Sequence, residues 1–204
     1  MLKKVTISKL PFILLVLLSG ACKQNNVYSL MSEVEKDEKL CGEVLVEDIK
    51  INCHYRPPFY LAMRELLKSG NEYEDTTGLS KELGNYDDAL YFDIRFSLKD
   101  EGNIILYNVG DRRMYASRID YLNNHVYNDF YILTKNMQKI KALGHSFQNS
   151  FGASNACDIS LVFPKSFLEK EEEFELIYKD RVYGIKNKCR FKYRIKELMK
   201  YNFN

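Results

Sequence analysis

One stretch of strict alternation constrains the fold of this chain more than any other feature of its sequence. Five apolar residues alternate there with residues that are polar, charged or aromatic: Leu90, Phe92, Ile94, Phe96 and Leu98. Successive side chains of a β-strand point to opposite faces, so this period predicts a strand with one buried face. A sheet made of such strands must cover that face with a second layer. The chain therefore has to build a layered core that contains a β-sheet.

Several shorter segments have the same character and predict more strands. Alternation from Val44 to Cys53, with a slip at Glu47 and Asp48, predicts a strand pair or a bulged strand. The turn residues 100–103 predict a hairpin between the alternating stretch and the segment that follows it. The remaining strands are predicted at 104–109, 113–121, 129–134, 158–163 and 173–178, with a last one that begins near Val182.

Helical signals are few. A short helix is predicted after Pro57 and Pro58, where apolar residues recur near helical spacing: Leu61, Met63, Leu66 and Leu67. A short terminal helix is predicted from Ile195 to Met199, and residues 69–88 predict a long loop. Strands do not alternate regularly with long helices, which argues against a parallel α/β sheet. We therefore expect a mainly β fold, an antiparallel β-sandwich or barrel-like domain with one or two short helices.

The N-terminal segment has the layout of a secretory signal peptide. Basic residues lie at Lys3, Lys4 and Lys9, an apolar run follows at 10–18, and small residues occupy 19–21. The apolar run has about nine residues, far fewer than the roughly 20 that a helix needs to cross a bilayer. Residues 1–21 are therefore predicted to be a cleaved signal peptide.

The end of that segment, Leu18-Ser19-Gly20-Ala21-Cys22, resembles the lipobox of bacterial lipoproteins. The resemblance implies that Cys22 is acylated and becomes the first residue of a membrane-anchored chain. Lys23 follows, and in a Gram-negative bacterium the family rule then implies export to the outer membrane, on its periplasmic or surface face. Ordinary signal peptidase would also cut before Cys22, so a free secreted protein is an alternative, and an uncleaved anchor is another.

The rest of the chain divides into two parts. Residues 22–39 are polar and then acidic, with few apolar residues, and predict an unpacked tether. Residues 40–204 predict a single β-rich domain. The chain has 30 basic and 28 acidic residues, and the signal peptide removes three lysines and no acid, so the mature chain carries one net negative charge. This balance gives no global signal for nucleic-acid binding.

Four cysteines follow the anchor: Cys41, Cys53, Cys157 and Cys189. An even number in an oxidising envelope compartment predicts two disulfides. Three pairings are open, and we favour Cys41 with Cys53 and Cys157 with Cys189, because each would join strands expected to be neighbours. The close Cys-x₂₋₄-Cys spacing of a zinc site is lacking, so no metal is expected.

Signals for catalysis are weak. Gly144-His145-Ser146-Phe147-Gln148 resembles the Gly-x-Ser-x-Gly nucleophile elbow of esterases and lipases, with glutamine in place of the second glycine. That resemblance leaves Ser146 as a candidate nucleophile with His145 or His125 as the base. His54 follows a strand and is more simply structural. No cofactor or phosphate-binding motif is found, and we expect a protein that is not an enzyme.

A row of five cations is the strongest candidate binding feature: Lys188, Arg190, Lys192, Arg194 and Lys196. Period-two spacing places them on one strand face, opposite the apolar residues that alternate with them. Such a stripe can bind an acidic protein or an anionic lipid. It can equally keep an exposed strand soluble and unpaired, and the acidic segments at 33–48 and 69–88 could cover it within the same domain.

Together these features predict an envelope lipoprotein without enzymatic activity that binds a macromolecular partner. Immunity against a toxin, envelope assembly and adhesion are the functional classes that fit its size and anchor, by analogy only. The alternative is a serine esterase or lipase-like hydrolase that uses Ser146. A purely structural envelope component is the third class.

Overall fold

The computed structural model describes residues 27–69, 76–148 and 154–201; the predicted signal peptide and Cys22 lie outside them. The strands of this part of the chain are β1 Cys41–Val46, β2 Ile49–Arg56, β3 Ala89–Leu98, β4 Phe130–Thr134, β5 Lys139–Lys141, β6 Gly144–Gln148, β7 Cys157–Pro164, β8 Glu173–Tyr178 and β9 Cys189–Arg194. Its helices are α1 Val27–Lys36, α2 Pro58–Lys68, α3 Thr76–Gly84, α4 Arg112–Asn124 and α5 Ile195–Leu198. None of these helices is long and apolar enough to cross a membrane.

The strands form two antiparallel sheets. The larger sheet has the order β1-β2-β3-β7-β6, and the smaller one has the order β5-β4-β8-β9. The sheets are not closed on themselves, so the domain is a sandwich and not a barrel. The mainly β prediction is confirmed, although the described residues contain five α-helices where one or two were expected.

The core lies between the inner faces of the two sheets. Every second residue of β2, β3 and β7 in the larger sheet is buried there. Alternate residues of β4, β8 and β9 in the smaller sheet are buried against them. Phe92 lies at its centre, and its ring contacts rings from both sheets: Tyr55, Phe163, Phe174 and Tyr193. These tilted and edge-on contacts are the arrangements that aromatic pairs favour. The alternation of the sequence thus creates the core directly.

The elements with the clearest pattern form where they were predicted. β3 covers the alternating stretch, β8 spans the predicted 173–178, and α2 begins at Pro58 after the extended Pro57. β1 and β2 make a hairpin whose turn is Glu47 and Asp48, with Glu47 at the positive φ of 55°. The slip in the alternation therefore marks a two-residue turn and not a bulge.

Two predicted strands are wrong. Residues 104–109 hold a 3₁₀ turn at Ile104–Leu106, and residues 113–121 lie within α4. The Asp111 side chain accepts a hydrogen bond from the backbone N–H of Met114 at 2.8 Å, which caps the helix start. Tyr115, Ile119 and Leu122 pack against the core at helical spacing. Helical period and an N-cap outweigh the β-forming residues of this stretch.

The predicted tether is also wrong from residue 27 onward. α1 occupies residues 27–36, Val34 is fully buried, and Leu30 and Met31 pack against the core. The hydroxyl of Tyr201 donates to Asp37 at 2.9 Å, which joins this segment to the other end of the described chain. Residues 27–39 therefore belong to the folded domain.

The structure contains three further elements that were not predicted, and its last strand begins later than expected. The expected loop 69–88 contains α3, and the short strands β5 and β6 were not predicted. The last strand begins at Cys189 because Asp180 holds the preceding segment in a loop. Its carboxylate accepts hydrogen bonds from the backbone N–H groups of Val182, Tyr183 and Ile185 at 2.7–3.0 Å.

Candidate functional site

The outer face of the smaller sheet carries a cationic groove with a volume of about 400 Å³. Its middle is apolar, because Tyr131, Leu133 and Ile177 point outward from β4 and β8. The side chains around this middle are mostly basic: Lys135, Lys139, Lys188, Arg190 and Lys192. Strand pairing creates the arrangement, since Lys139 is opposite Leu133, and Arg190 is opposite Ile177. The groove combines an apolar floor with a positive rim.

Two carboxylates partly neutralise that rim. Glu175 pairs with Arg190 at 2.9 Å, and Glu173 pairs with Lys192 at 2.8 Å. The hydrogen bond from Lys192 lowers the pKa of Glu173. Lys139 and Lys188 lie 5.4 and 6.0 Å from the centre of the Tyr131 ring, within reach of cation–π attraction. Both glutamate pairs join neighbouring strands near the surface, where solvent screening leaves ion pairs weak.

The structure divides the predicted cation row between three elements. Arg190, Lys192 and Arg194 are exposed on β9 and alternate with buried Cys189, Phe191 and Tyr193. Lys188 precedes the strand and lines the groove, whereas Lys196 belongs to α5. Lys135 directly follows β4 and Lys139 begins β5, and neither was predicted as part of this surface. A sequence pattern in one strand could not reveal them, because the sheet order brings them from another.

A second site lies on the outer face of the larger sheet. Strand register aligns one residue from each of its five strands in a row, in the order Cys41, His54, Asp93, Ser160 and Ser146. The first four line a polar cleft of about 370 Å³. Asp158 and three arginines also line this cleft: Arg56, Arg64 and Arg95. Side chains directly opposite on neighbouring strands interact. The cleft thus joins residues that are far apart in the sequence.

Hydrogen bonds fix the carboxylates of this cleft. Asp93 accepts from Arg56 Nε at 2.7 Å and from the Ser160 hydroxyl at 2.6 Å. Asp158 accepts two bonds from Arg95, from Nε at 2.6 Å and from Nη2 at 3.0 Å. The bidentate geometry is the strongest form of such a pair. Neither carboxylate is available as a free base.

His54 is held as a neutral imidazole. Its Nε2 lies 3.2 Å from the backbone oxygen of Val34 in α1, and a carbonyl oxygen can only accept, so Nε2 carries the proton. Burial, followed by the positive charge of Arg56, lowers the pKa of His54. His54 therefore fastens α1 to the sheet, which is the structural role that we expected for it.

The four cysteines are free thiols in the structure. The register does not favour the pairing of Cys41 with Cys53, because Cys41 is opposite His54, and Gly42 is opposite Cys53. The presence of two disulfides stays a prediction. Cys41 is exposed on the outer face and Cys53 is buried on the inner one, so their side chains point apart. The other favoured pair, Cys157 and Cys189, is buried on facing sheets without a bond between the sulfurs.

Ser146 is not on a nucleophile elbow. Residues 144–148 form β6, and the tight strand-to-helix turn of an elbow is not formed there. His145 points to the opposite strand face from Ser146, and its Nε2 lies 2.9 Å from the backbone oxygen of Leu122. The other candidate base, His125, ends α4 and its ring packs on Tyr121. The geometry gives the hydrolase alternative no support.

Among the described residues, no group of three or more histidine, cysteine or acidic side chains could hold a metal ion. Comparison of the chain with models of protein families, with curated proteins and with solved structures finds no match. The cationic groove and the polar cleft are therefore interpreted from their own geometry and chemistry.

Proposed function

We propose that the protein is an envelope lipoprotein whose sandwich domain binds an anionic macromolecular partner in the cationic groove. The observation that carries the proposal is a lining that combines five basic side chains with an apolar floor and two acidic residues. Charge needed for solubility alone does not require a partly exposed apolar floor, here Tyr131 and Leu133, between the basic side chains. Immunity, assembly and adhesion all require such a recognition surface.

The groove suits a partner with acidic groups next to apolar ones. Tyr131 and Leu133 offer contact area, and the surrounding ammonium and guanidinium groups attract carboxylates or phosphates. The exposed pairs with Glu173 and Glu175 are weak enough for a partner's acids to replace them. An acidic protein segment and the head groups of anionic lipids both have this chemistry.

The anchor would keep the groove close to a membrane. If Cys22 is acylated, the connection to α1 consists of residues 22–26, which span at most about 18 Å when fully extended. This connection is much shorter than the tether expected from the sequence. The start of α1 would therefore stay within about 18 Å of the bilayer, and the partner would be a membrane component or a protein that reaches a domain held at the membrane surface.

A charge-matched pair of triple variants tests the groove. The first replaces Lys188, Arg190 and Lys192 with serine; the control replaces three exposed cations outside the groove, Lys81, Lys99 and Arg112. Two probes are used, vesicles of phosphatidylcholine with phosphatidylglycerol and a labelled polyglutamate peptide. We expect wild type and control to bind at least one probe with an affinity that falls with salt, and the groove variant to bind at least about tenfold more weakly.

Equal binding by both triple variants would show that net charge, and not the groove, attracts the probes. Binding of neither probe by the wild type would overturn the proposal. The anchor is tested separately by partition of the processed protein into detergent. Cys22→Ser should release a soluble form or stall the precursor, because acyl chains supply the apolar area for partition.

A further inference from the structure

The polar cleft of the larger sheet holds more positive than negative charge. Three guanidinium groups line it, from Arg56, Arg64 and Arg95, against the two carboxylates of Asp93 and Asp158. Arg95 is fully engaged, because both of its hydrogen bonds go to Asp158. The surplus charge therefore lies with Arg56 and Arg64, on the side of the cleft where β2 ends and α2 begins.

Arg56 is a largely buried cation with incomplete pairing. Its side chain is 17% exposed, and its Nε donates to Asp93 at 2.7 Å. Its guanidinium carbon lies 4.8 Å from the centre of the Tyr60 ring. Nη1 is covered from solvent and has no hydrogen-bond partner within the described part of the chain. One shared carboxylate, which also accepts from Ser160, leaves this group under-compensated.

Arg64 on α2 is more exposed than Arg56, at 40% of its side chain, and is also incompletely paired. Its nearest carboxylate is that of Glu65, 3.8 Å from Nε, beyond hydrogen-bond distance. Glu65 is instead bound by Lys68 at 2.8 Å. Nε of Arg64 is covered and, among the described residues, also lacks a hydrogen-bond partner. Arg56 and Arg64 thus line the same cleft, each with a donor that the described part of the chain does not satisfy.

We propose that the polar cleft binds a small oxyanion, a carboxylate or phosphate group, between Arg56 and Arg64. Planar guanidinium groups match the oxygens of both anions and form charge-assisted hydrogen bonds with them. The amides of Asn52 and Gln148 line the same cleft and add neutral donors. The cavity of about 370 Å³ admits a small anion or the charged end of a larger molecule. This site is on the opposite face of the sandwich from the cationic groove and does not depend on it.

Cys41 provides a reporter for this site. It lines the cleft and is exposed, whereas Cys53, Cys157 and Cys189 are buried. Sodium phosphate and sodium acetate are titrated separately into the full chain, against sodium chloride at the same ionic strength. The rate at which iodoacetamide, a neutral reagent, alkylates Cys41 is followed by peptide mass spectrometry. NMR signals of arginine Nε–H groups give a second measure of binding.

We expect phosphate, acetate or both to slow alkylation of Cys41 at least threefold at saturation, and chloride to leave the rate unchanged. The same anions should shift the Nε–H signals of Arg56 and Arg64. Protection by phosphate alone would assign the site to a phosphorylated molecule, and protection by acetate would assign it to a carboxylate. Arg64→Gln should weaken binding at least about tenfold, because charge-assisted hydrogen bonds are lost. Arg113→Gln, an exposed arginine of α4 outside the cleft, is the control.

Several results would overturn the proposal. They are an equal effect of chloride, no effect of either anion on the wild type, and unchanged anion affinity in Arg64→Gln. If Arg64→Gln does not fold, Arg64→Lys serves instead, since it keeps the charge but loses the planar fork. Binding by the groove variant described above should be unaffected, so failure here and failure of the proposed function are separate results.

Discussion

The two outer faces of the sandwich treat charge differently. On the larger sheet, cross-strand bonds hold the acids in place, with Asp93 bound by Arg56 and Ser160 and Asp158 bound twice by Arg95. On the smaller sheet, basic side chains surround an apolar floor, and the acids pair with only two of them. Both faces are built from alternating strands over the same core. Strand period alone therefore does not determine which groups a sheet surface can bind.

The largest expected effect is a difference in alkylation rate between thiols on the two faces of the larger sheet. Cys41 is on its outer face and Cys53 on its inner face. We expect iodoacetamide to alkylate Cys41 at least about a thousandfold faster than Cys53, because access to a buried thiol requires opening of the core, at several kcal/mol. Peptide mass spectrometry of the native protein measures both rates, and denatured protein, with all four thiols accessible, is the control. A Cys41–Cys53 linked peptide in an unreduced digest would contradict the strand register.

One acidic side chain at the end of the smaller sheet, Asp129, is buried and should make stability depend on pH. The side chain of Asp129 is fully buried before β4, where it accepts from the Tyr121 hydroxyl at 2.8 Å and lies 3.5 Å from Arg181. Burial raises its pKa from 3.8 to about 6, and Asp180 adds to the rise, while Tyr121, Arg181 and Lys179 oppose it. The folded protein therefore holds this proton more tightly than the unfolded chain does.

From this sign, the stabilisation that Asp129 contributes is fully present below about pH 4 and is lost as the pH rises through about 6. The loss is about 2 to 3 kcal/mol, at 1.36 kcal/mol for each unit of pKa difference. Asp129→Asn keeps the bond from Tyr121 but cannot ionise, so its free energy of unfolding should lack this component. Urea unfolding of both proteins between pH 4 and 7 measures the difference. A parallel pH dependence in the two proteins would mean that Asp129 does not titrate in this range.

A matched pair of carboxylate-to-amide substitutions compares the faces directly. Asp93→Asn should destabilise the domain by about 1 to 3 kcal/mol, because Arg56 is largely buried and would lose the carboxylate that it is paired with. Glu175→Gln removes a more exposed pair with Arg190 and should change stability by less than about 0.5 kcal/mol. Urea unfolding at pH 7 gives both values. Equal losses would mean that the two faces are held together in the same way.

The smallest effect is expected on the rim of the groove. Lys192→Ser should change the free energy of unfolding by no more than about 0.5 kcal/mol, since the side chain is exposed on β9 and its pair with Glu173 is at the surface. Thermal and urea unfolding can both measure this. A loss above 1 kcal/mol would assign Lys192 to holding the sheet and would weaken the case for binding.

Local patterns predicted much of the larger framework. The alternation at Leu90 to Leu98 predicted β3, and the proline pair with the residues after it predicted α2. The prediction failed at α1 and α4, where the buried apolar residues are few and set among polar ones, as with Val34 and Leu122. A helix with so narrow an apolar stripe is stabilised mainly by what it packs against, which sequence period does not report.

The two sites show where sequence reasoning ends. By itself, the sequence determined that the fold is layered and β-rich, and that Arg190 and Lys192 point away from the apolar residues of their strand, because side-chain alternation is a local property of the backbone. Only the tertiary structure decided which strands are neighbours. The sheet order placed Lys139 and Lys192 in one row across the smaller sheet, with Leu133 and Glu175 between them. It also aligned Cys41 with His54 and Asp93 on the larger sheet. Strand pairing depends on contacts between distant segments, and the cationic groove and the polar cleft exist only once those contacts have formed.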